Sequence, residues 1–194
     1  MELDVRIDRI GESIGVLAGR LAASGFEFGR SHTVFPGPEA GIEGAIGRIE
    51  RECGALPLAL KLFWRRVGSV DFCGSNPNWT GCEYPDPLVI YPPSAAIVEL
   101  EEFLTDKQER IRTGNPYVVP IAPDFFHKAE VSGGMWYNIS VPAIADDPPL
   151  NDEWHETTFC QYLELAIRCG GFPGLTRFPG HNWPIAELIR GLPV

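Results

Sequence analysis

The sequence lacks any run of about 20 apolar residues, the length that a helix needs to cross the hydrocarbon core of a bilayer. A basic N-terminal segment is also missing, because Glu2 and Asp4 stand where a secretion signal carries positive charge. Glycine (21 residues) and proline (18 residues) are frequent, yet they form no repeat or low-complexity tract. We therefore expect a cytoplasmic protein with no membrane-spanning segment, folded as a single domain over residues 1–194.

Signatures of disulfide and metal sites are missing as well. The five cysteines are odd in number and contain no CxxC pair, so neither a disulfide framework nor a zinc knuckle is predicted. The histidines are too scattered to place two ligands on one helical face. They are His32, His127, His155 and His181. We expect no resident metal ion and no cofactor.

Positive charge is scarce. The chain has 16 Lys and Arg residues against 26 Asp and Glu residues, a net charge of -10. Between residues 76 and 110 the only basic residues are Lys107 and Arg110, against seven acidic ones. An acidic surface repels phosphate backbones, so nucleic-acid binding is not expected. The acidity favours either a basic protein partner or plain solubility, and both interpretations stay open.

Hydrophobic periodicity predicts the secondary structure. Apolar residues at helical spacing predict helices over residues 3–23, 42–53, 57–67, 94–104 and from Thr157 or Thr158 to 169, with a last turn at 184–189. Ser94 is predicted to cap the fourth of these helices, and Gly170-Gly171 is predicted to supply a left-handed cap at the end of the fifth. Strands are predicted at 26–28, 69–73, 88–91, 115–121 and 135–141. This mixed order predicts an α+β domain with helices packed on one side of a mainly antiparallel sheet. The expected core is Leu56, Leu60, Phe63, Trp64, Val67, Phe72, Leu88, Ile90, Phe159, Leu163 and Ile167.

Four stretches of the chain carry a family resemblance. They are the run IERECGALPLALKLFWRRVGSVDF at 49–72, Asp86-Pro87-Leu88 before a strand, the strand end at 120–123, and the helix QYLELAIRCGGFPGL at 161–175. An amphipathic helix, a helix opened by Leu-Pro, a glycine turn, strands and a closing helix follow in this order. The order resembles the SUKH superfamily, which includes fungal regulators of cell-wall synthesis and bacterial immunity proteins of polymorphic toxin systems.

The resemblance covers about residues 42–175 and leaves 1–41 and 176–194 as unmatched additions. It implies a SUKH-like fold and a protein that sequesters a toxin, such as a basic toxin domain, by surface complementarity. Such a protein needs no catalytic residue. Fold resemblance alone is weak support for function, since one fold hosts many functions.

Three constellations have the residue types of a catalytic site, and each has a simpler interpretation. Asp146-Asp147 and Asp152-Glu153 are paired carboxylates, but they lie among prolines, which favours solvated loop charge. No helix follows Ser132-Gly133-Gly134, so we predict a hairpin turn there and not a phosphate cradle. Cys160 could act with His155 and Glu164, yet its neighbours on the helix favour a packed cysteine.

Two loop tryptophans point to a contact surface. Trp79 and Trp154 each lie beside acidic residues, and exposed tryptophans often anchor interfaces. The alternative is that these rings simply cover the edge of the sheet. The predicted partner-facing surface contains Trp79, Glu83, Asp86, Asp146, Asp147, Asp152, Glu153 and Trp154.

Two functions are therefore compatible with the sequence. The first is a non-catalytic protein-binding module of the immunity type, with no catalytic residue. The second is a small hydrolase or ligand-binding enzyme whose site is assembled from distant residues. A cleft with converging titratable groups would favour the enzyme, and a broad acidic face with aromatics would favour the binding module.

Overall fold

Helices and short strands alternate along the chain in a computed structural model that describes residues 2–29 and 34–194. The helices are α1 (Leu3–Ala23), α2 (Ile42–Cys53), α3 (Leu58–Arg66), α4 (Pro93–Thr105), α5 (Lys107–Arg112), α6 (Phe125–Lys128), α7 (Phe159–Arg168) and α8 (Ile185–Leu188), with a 3-10 helix at Pro173–Arg177. The strands are β1 (Glu27–Phe28), β2 (Val70–Asp71), β3 (Gly74–Ser75), β4 (Val89–Ile90), β5 (Val118–Ala122) and β6 (Tyr137–Ser140). The predicted α+β class is confirmed.

The strands of the described residues pair antiparallel, but they do not form one continuous sheet. β1 pairs with β3, β2 with β4, and β5 with β6, which gives three separate two-stranded ladders. One backbone bond, from Tyr91 N to the Ile121 carbonyl at 2.7 Å, connects the end of β4 to β5. Four of the six strands described have only two residues, so they offer few backbone N–H and C=O groups for pairing with a further strand.

α1 lies at the centre of the hydrophobic core. Its apolar stripe is fully buried and contains Ile7, Ile10, Ile14, Leu17 and Leu21. The helix packs against α3, α7 and α8. The N-terminal helix therefore shares one hydrophobic core with the part of the chain that resembles a known family. All eleven residues of the predicted core are buried in the same cluster, which confirms that prediction.

The ends of α7 follow the predicted capping rules. Thr158 caps the helix and forms a capping box with Gln161. Gly170 and Gly171 have φ values of 66° and 98°, the left-handed conformation predicted after the helix. Ser94 was predicted to cap α4, and this is wrong. The helix already begins at Pro93, and the Ser94 hydroxyl donates to Glu39 at 2.9 Å. Among the helices of the described residues, none has both the length and the apolar composition of a membrane span.

Candidate functional site

The short helix α6 is fixed in place by a buried carboxylate at its start. Asp124 accepts a hydrogen bond from the backbone N–H of His127 at 2.8 Å, and its second oxygen lies 3.0 Å from His127 Nδ1. Gly134 crosses directly over Asp124 with φ 85°, and a Cβ there would lie 1.8 Å from the carboxylate oxygen. Only glycine fits this crossing, so the segment predicted as a hairpin turn is held against α6.

A buried ion pair attaches the end of α6 to the loop before β4. Lys128 Nζ lies 2.6 Å from Asp86 Oδ1, and both side chains have zero exposure. Tyr137 donates its hydroxyl to the second Asp86 oxygen at 3.2 Å, and Lys128 donates to the Tyr162 hydroxyl at 3.3 Å. The ammonium also lies 4.6 Å from the centre of the Tyr137 ring, in the range of a cation–π contact. Each charge is therefore compensated by several groups.

Burial sets the protonation behaviour of this cluster. Desolvation raises the pKa of Asp86, and the Lys128 charge opposes that shift. Desolvation and the nearby Asp86 charge raise the pKa of both Tyr137 and Tyr162. The two phenols therefore stay protonated and act as hydrogen-bond groups, not as general bases.

A second buried carboxylate, Glu153, organises the loop before α7. Its oxygens accept from the backbone N–H of His155 at 3.0 Å and from the Thr157 hydroxyl at 3.1 Å. His155 Nδ1 lies 2.5 Å from Glu153, and His155 Nε2 lies 3.0 Å from the hydroxyl of Thr176. This carboxylate–imidazole–hydroxyl order is that of a hydrolase triad. No sequence pattern predicts this order of groups, because Thr176 lies 21 residues from His155 on another element.

The hydrogen-bond directions in this chain of groups work against nucleophilic chemistry. Thr176 donates its hydroxyl hydrogen to the Pro173 carbonyl at 2.9 Å. A hydroxyl has one hydrogen, so while Thr176 donates it to the Pro173 carbonyl, this hydrogen is not available to His155 Nε2. The chain of groups holds the 3-10 helix against the loop.

Cys160, His155 and Glu164 do not come together as a catalytic group. The Cys160 side chain is buried, and burial raises the pKa of its thiol. Glu164 is engaged by Arg6 at 2.6 and 2.9 Å. These contacts support the packed-cysteine interpretation.

Aromatic rings bring two of the predicted loops together across α6. Trp154 stacks on Phe125 with ring centres 4.3 Å apart, and Phe125 contacts Phe126 at 4.1 Å. Tyr84 lies 5.9 Å from Phe125 and 5.5 Å from Phe126. On the Trp154 ring sits the guanidinium of Arg177, 3.7 Å from its centre.

The rings of this cluster are half-buried and reach the surface beside exposed carboxylates. We call this surface the α6 face, and it contains Tyr84, Phe125, Phe126, Trp154, Glu83 and Asp152. Glu83, Asp152 and Trp154 were predicted from the sequence as surface residues, whereas Phe125 and Phe126 were not. A short Phe-Phe step without helical periodicity gives no sign that it is exposed.

For two residues, the prediction that they belong to a partner-facing surface is wrong. Asp86 is 0 % exposed and Glu153 is 4 % exposed, so neither can face a partner. Both carboxylates have enough buried donors to remain inside, which a single sequence does not reveal. They support the α6 face from beneath.

The paired carboxylates Asp146 and Asp147 have separate roles. Asp147 accepts from the Thr158 hydroxyl at 2.8 Å and the Cys160 backbone N–H at 2.9 Å, and it pairs with Arg6 at 3.1 Å. It therefore holds the start of α7. Asp146 is exposed, and only its backbone carbonyl makes a described contact, with Ala59 N at 2.8 Å.

Trp79 belongs to a neighbouring aromatic cluster. Its ring is half-buried against Trp183 at 5.0 Å and Phe26 at 5.5 Å. The loop that contains Trp79 is connected to the C-terminal segment by a hydrogen bond of 2.6 Å, which the Thr80 backbone N–H donates to Asn182 Oδ1. These contacts favour the packing interpretation of Trp79.

A polar cavity of about 620 Å³ lies between α6 and the β1–β3 ladder. Its titratable lining residues are Glu27, Cys73, His127, Lys128 and Glu130. Within residues 2–29 and 34–194, no three His, Cys, Asp or Glu side chains converge in the way that a metal ion requires. His32 lies outside the described residues.

Comparisons with protein-family models, with curated proteins and with solved structures found no match to this chain. The resemblance to the SUKH superfamily stays a prediction from the sequence.

Proposed function

We propose that this protein is a non-catalytic module that binds a basic protein through the α6 face, in the manner of the immunity proteins that its sequence resembles. The observation that carries the proposal is the aromatic cluster that joins Tyr84 to Trp154 across α6. Exposed Glu83 and Asp152 border these rings. Half-buried aromatics with a charged rim have the composition of an interface hot spot.

Backbone strain in the same region supports the proposal. Four non-glycine residues among those described have positive φ, namely Asp86, Glu130, Asp152 and Glu156. All four are acidic, and they lie beside α6 or on either side of Trp154. Strained backbone is retained mainly where it holds functional groups in position.

The buried network beneath α6 also fits a binding role. The Lys128–Asp86 pair and the Glu153 hydrogen bonds hold α6 and the Trp154 loop in one arrangement before any partner arrives. A surface that is already ordered loses less conformational entropy on binding. Rim carboxylates raise the association rate with a basic partner, and buried rings slow dissociation.

The test is a series of binding kinetics with a basic protein domain encoded beside this protein's gene, at about 50 mM and about 300 mM salt. Glu83→Gln with Asp152→Asn should slow association at low salt and have little effect at high salt. Trp154→Ala should speed dissociation with little effect on association.

The matched control removes the same charge elsewhere. Glu2 directly precedes α1 and Glu12 lies near its middle. Both carboxylates are exposed, and both are changed to Gln. Equal effects of the two double variants would mean that only net charge matters. That result would reject the α6 face and leave the acidity as a solubility feature.

A second candidate function is hydrolysis, favoured by the hydrogen-bond chain from Glu153 through His155 to Thr176. A fluorophosphonate probe, which labels activated hydroxyls, tests it directly. We expect no labelling of Thr176, because its hydroxyl donates its hydrogen bond to the Pro173 carbonyl. Labelling that disappears in both Thr176→Val and His155→Gln would overturn the non-catalytic proposal.

A further inference from the structure

A second surface, distinct from the α6 face, combines an apolar cavity with negative charge. The cavity has a volume of about 260 Å³ and lies between α4, β5 and the residues that adjoin β4 and β6. We call it the α4 groove, and it is lined by Tyr91, Ala95, Val98, Glu99, Pro120 and Trp136. Pockets that enclose whole small molecules measure roughly 300–1,000 Å³, so this one suits a protein side chain better than a cofactor.

The apolar side chains around the groove are unusually exposed. Val98 is 67 % exposed, Trp136 is 37 % exposed, and Met135 next to it in the chain is 65 % exposed. Single exposed apolar residues are common, but here Val98 and Trp136 line one cavity, and such a patch is of the kind that marks interaction sites. The backbone of Trp136 is held in place, because its carbonyl accepts from Asn138 Nδ2 at 2.9 Å.

The charged side chains of α4, the helix that borders the groove, are all negative. This helix contains Glu99, Glu101 and Glu102 and no basic residue. Glu101 is paired with Arg48. Glu99 lines the groove, where burial and the Glu102 charge raise its pKa and Arg110 opposes the shift. An added cation beside Glu99 and Glu102 would be attracted by both carboxylates.

We propose that the α4 groove is a docking site for a basic protein segment, which seats an aliphatic side chain between Val98 and Trp136 and sets a Lys or Arg beside Glu99 and Glu102. This site shares no residue with the α6 face, so it does not depend on the proposed function. A second copy of the chain is the wrong occupant. It would bring an identical acidic helix to the same groove, on a molecule with net charge -10.

The experiment maps the binding of a defined peptide to the isotope-labelled full chain by NMR. The probe is acetyl-Lys-Lys-Leu-Leu-Lys-Lys-amide, and its counterpart carries Glu in place of every Lys. We expect the basic peptide alone to shift the signals of Ala95, Val98, Glu99 and the Trp136 indole. The affinity should fall as salt rises.

Variants then separate the apolar and charged parts of the groove. Val98→Ser should weaken binding of the basic peptide about tenfold, because the aliphatic contact is lost. Glu99→Gln should weaken binding at low salt only. Ile144→Ser is the matched control, since Ile144 is 95 % exposed and lies outside the groove.

Four outcomes would overturn the proposal. They are equal binding of the acidic peptide, shifts confined to the α6 face, unchanged binding in Val98→Ser, and no shift at all. Dimerisation of the free chain that Val98→Ser abolishes would also overturn it, because the groove would then hold a second copy. The variants Val98→Ser and Glu99→Gln leave every residue of the α6 face unchanged, so this test and that of the proposed function can fail separately.

Discussion

At the level of single residues, the pairing of Asp86 with Lys128 shows how two charges remain inside this protein. Each of the two side chains has zero exposure, and each also hydrogen-bonds a tyrosine. A buried pair of this kind adds little net stability compared with an apolar pair of the same volume. Loss of one partner is costly, however, because the other charge is left unpaired.

Replacing Lys128 with Met should lower the free energy of unfolding by about 3–5 kcal/mol near neutral pH. The loss should shrink in acid. Lys128 opposes the burial that raises the pKa of Asp86, so its removal moves the folded-state pKa further above the unfolded value of about 3.9. Between the two pKa values the folded state binds more protons than the unfolded state, so stability falls as pH rises. Urea denaturation at about pH 4.5 and about pH 7 measures this dependence.

The control for this prediction is the double variant Lys128→Met with Asp86→Asn. It has no carboxyl to titrate, so the extra pH dependence of the single variant should disappear. A loss below about 1 kcal/mol for Lys128→Met at neutral pH would contradict the buried pair, since surface changes have effects of that size.

Core packing gives a second prediction. Phe63→Ala should cost about 3–5 kcal/mol, because the ring is fully buried against Phe159 at 5.6 Å and the change leaves a cavity. Leu58→Ala in the same helix is the matched control. Leu58 is 37 % exposed and should lose much less. Equal losses in chemical denaturation would mean that the register of α3 is wrong.

At the level of elements, the start of α7 depends on a carboxylate from another part of the chain. Asp147 accepts the Cys160 backbone N–H and the Thr158 hydroxyl and pairs with Arg6. Negative charge at a helix N-terminus is favourable because the unpaired N–H groups point toward it. The loop that holds Asp147 thereby joins α1 to α7.

Asp147→Ala should lower stability by about 1.5–3 kcal/mol, the range for hydrogen bonds to charged groups. Asp146→Ala is the adjacent control. It removes an exposed carboxylate and should stay within about 0.5 kcal/mol of the parent protein. Thermal or urea denaturation of the two variants compares them directly. If Asp146→Ala proved the more destabilising, the role of Asp147 at α7 would be rejected.

The longer helices could be predicted from the sequence, and the small elements could not. α1 and α7 have apolar residues at a period of 3.6 over several turns, and α7 also has a capping threonine and a glycine pair. α6 has four residues and β3 has two, too few for any period. The helix α5 (Lys107–Arg112) lies on the surface without buried residues, so it has no apolar stripe from which it could be predicted.

Only those residues of the candidate site that belong to the predicted loops could be identified from the sequence. Trp154 and Glu83 were identified because a loop tryptophan or a charged loop is visible locally. The pairing of Asp86 with Lys128 spans 42 residues, and Asp residues are exposed in most proteins. A rule that assigns carboxylates to the surface therefore fails for Asp86 and Glu153, which have buried partners.

At the level of the whole molecule, the N-terminal helix is part of the core, although it falls outside the family resemblance. Five of its apolar side chains are fully buried, and the helix packs against α3 and α7. A fully buried Ile or Leu contributes roughly 1.5–3 kcal/mol, so five of them rival the entire stability of a domain, about 5–15 kcal/mol. Arg6 adds a link to Asp147 and Glu164 near α7.

A chain that lacks residues 1–24 should therefore fail to fold, whereas the full chain should unfold in a single transition. Calorimetry tests the second statement, since the calorimetric and van't Hoff enthalpies agree for a two-state unit. Near-UV circular dichroism tests the first, and a separate peptide of residues 2–24 should restore part of the signal when it is added to the shortened chain. A shortened chain with a native-like spectrum and a cooperative transition would contradict this. The part that resembles the SUKH superfamily would then be stable by itself, and α1 would be an addition to a complete domain instead of a part of its core.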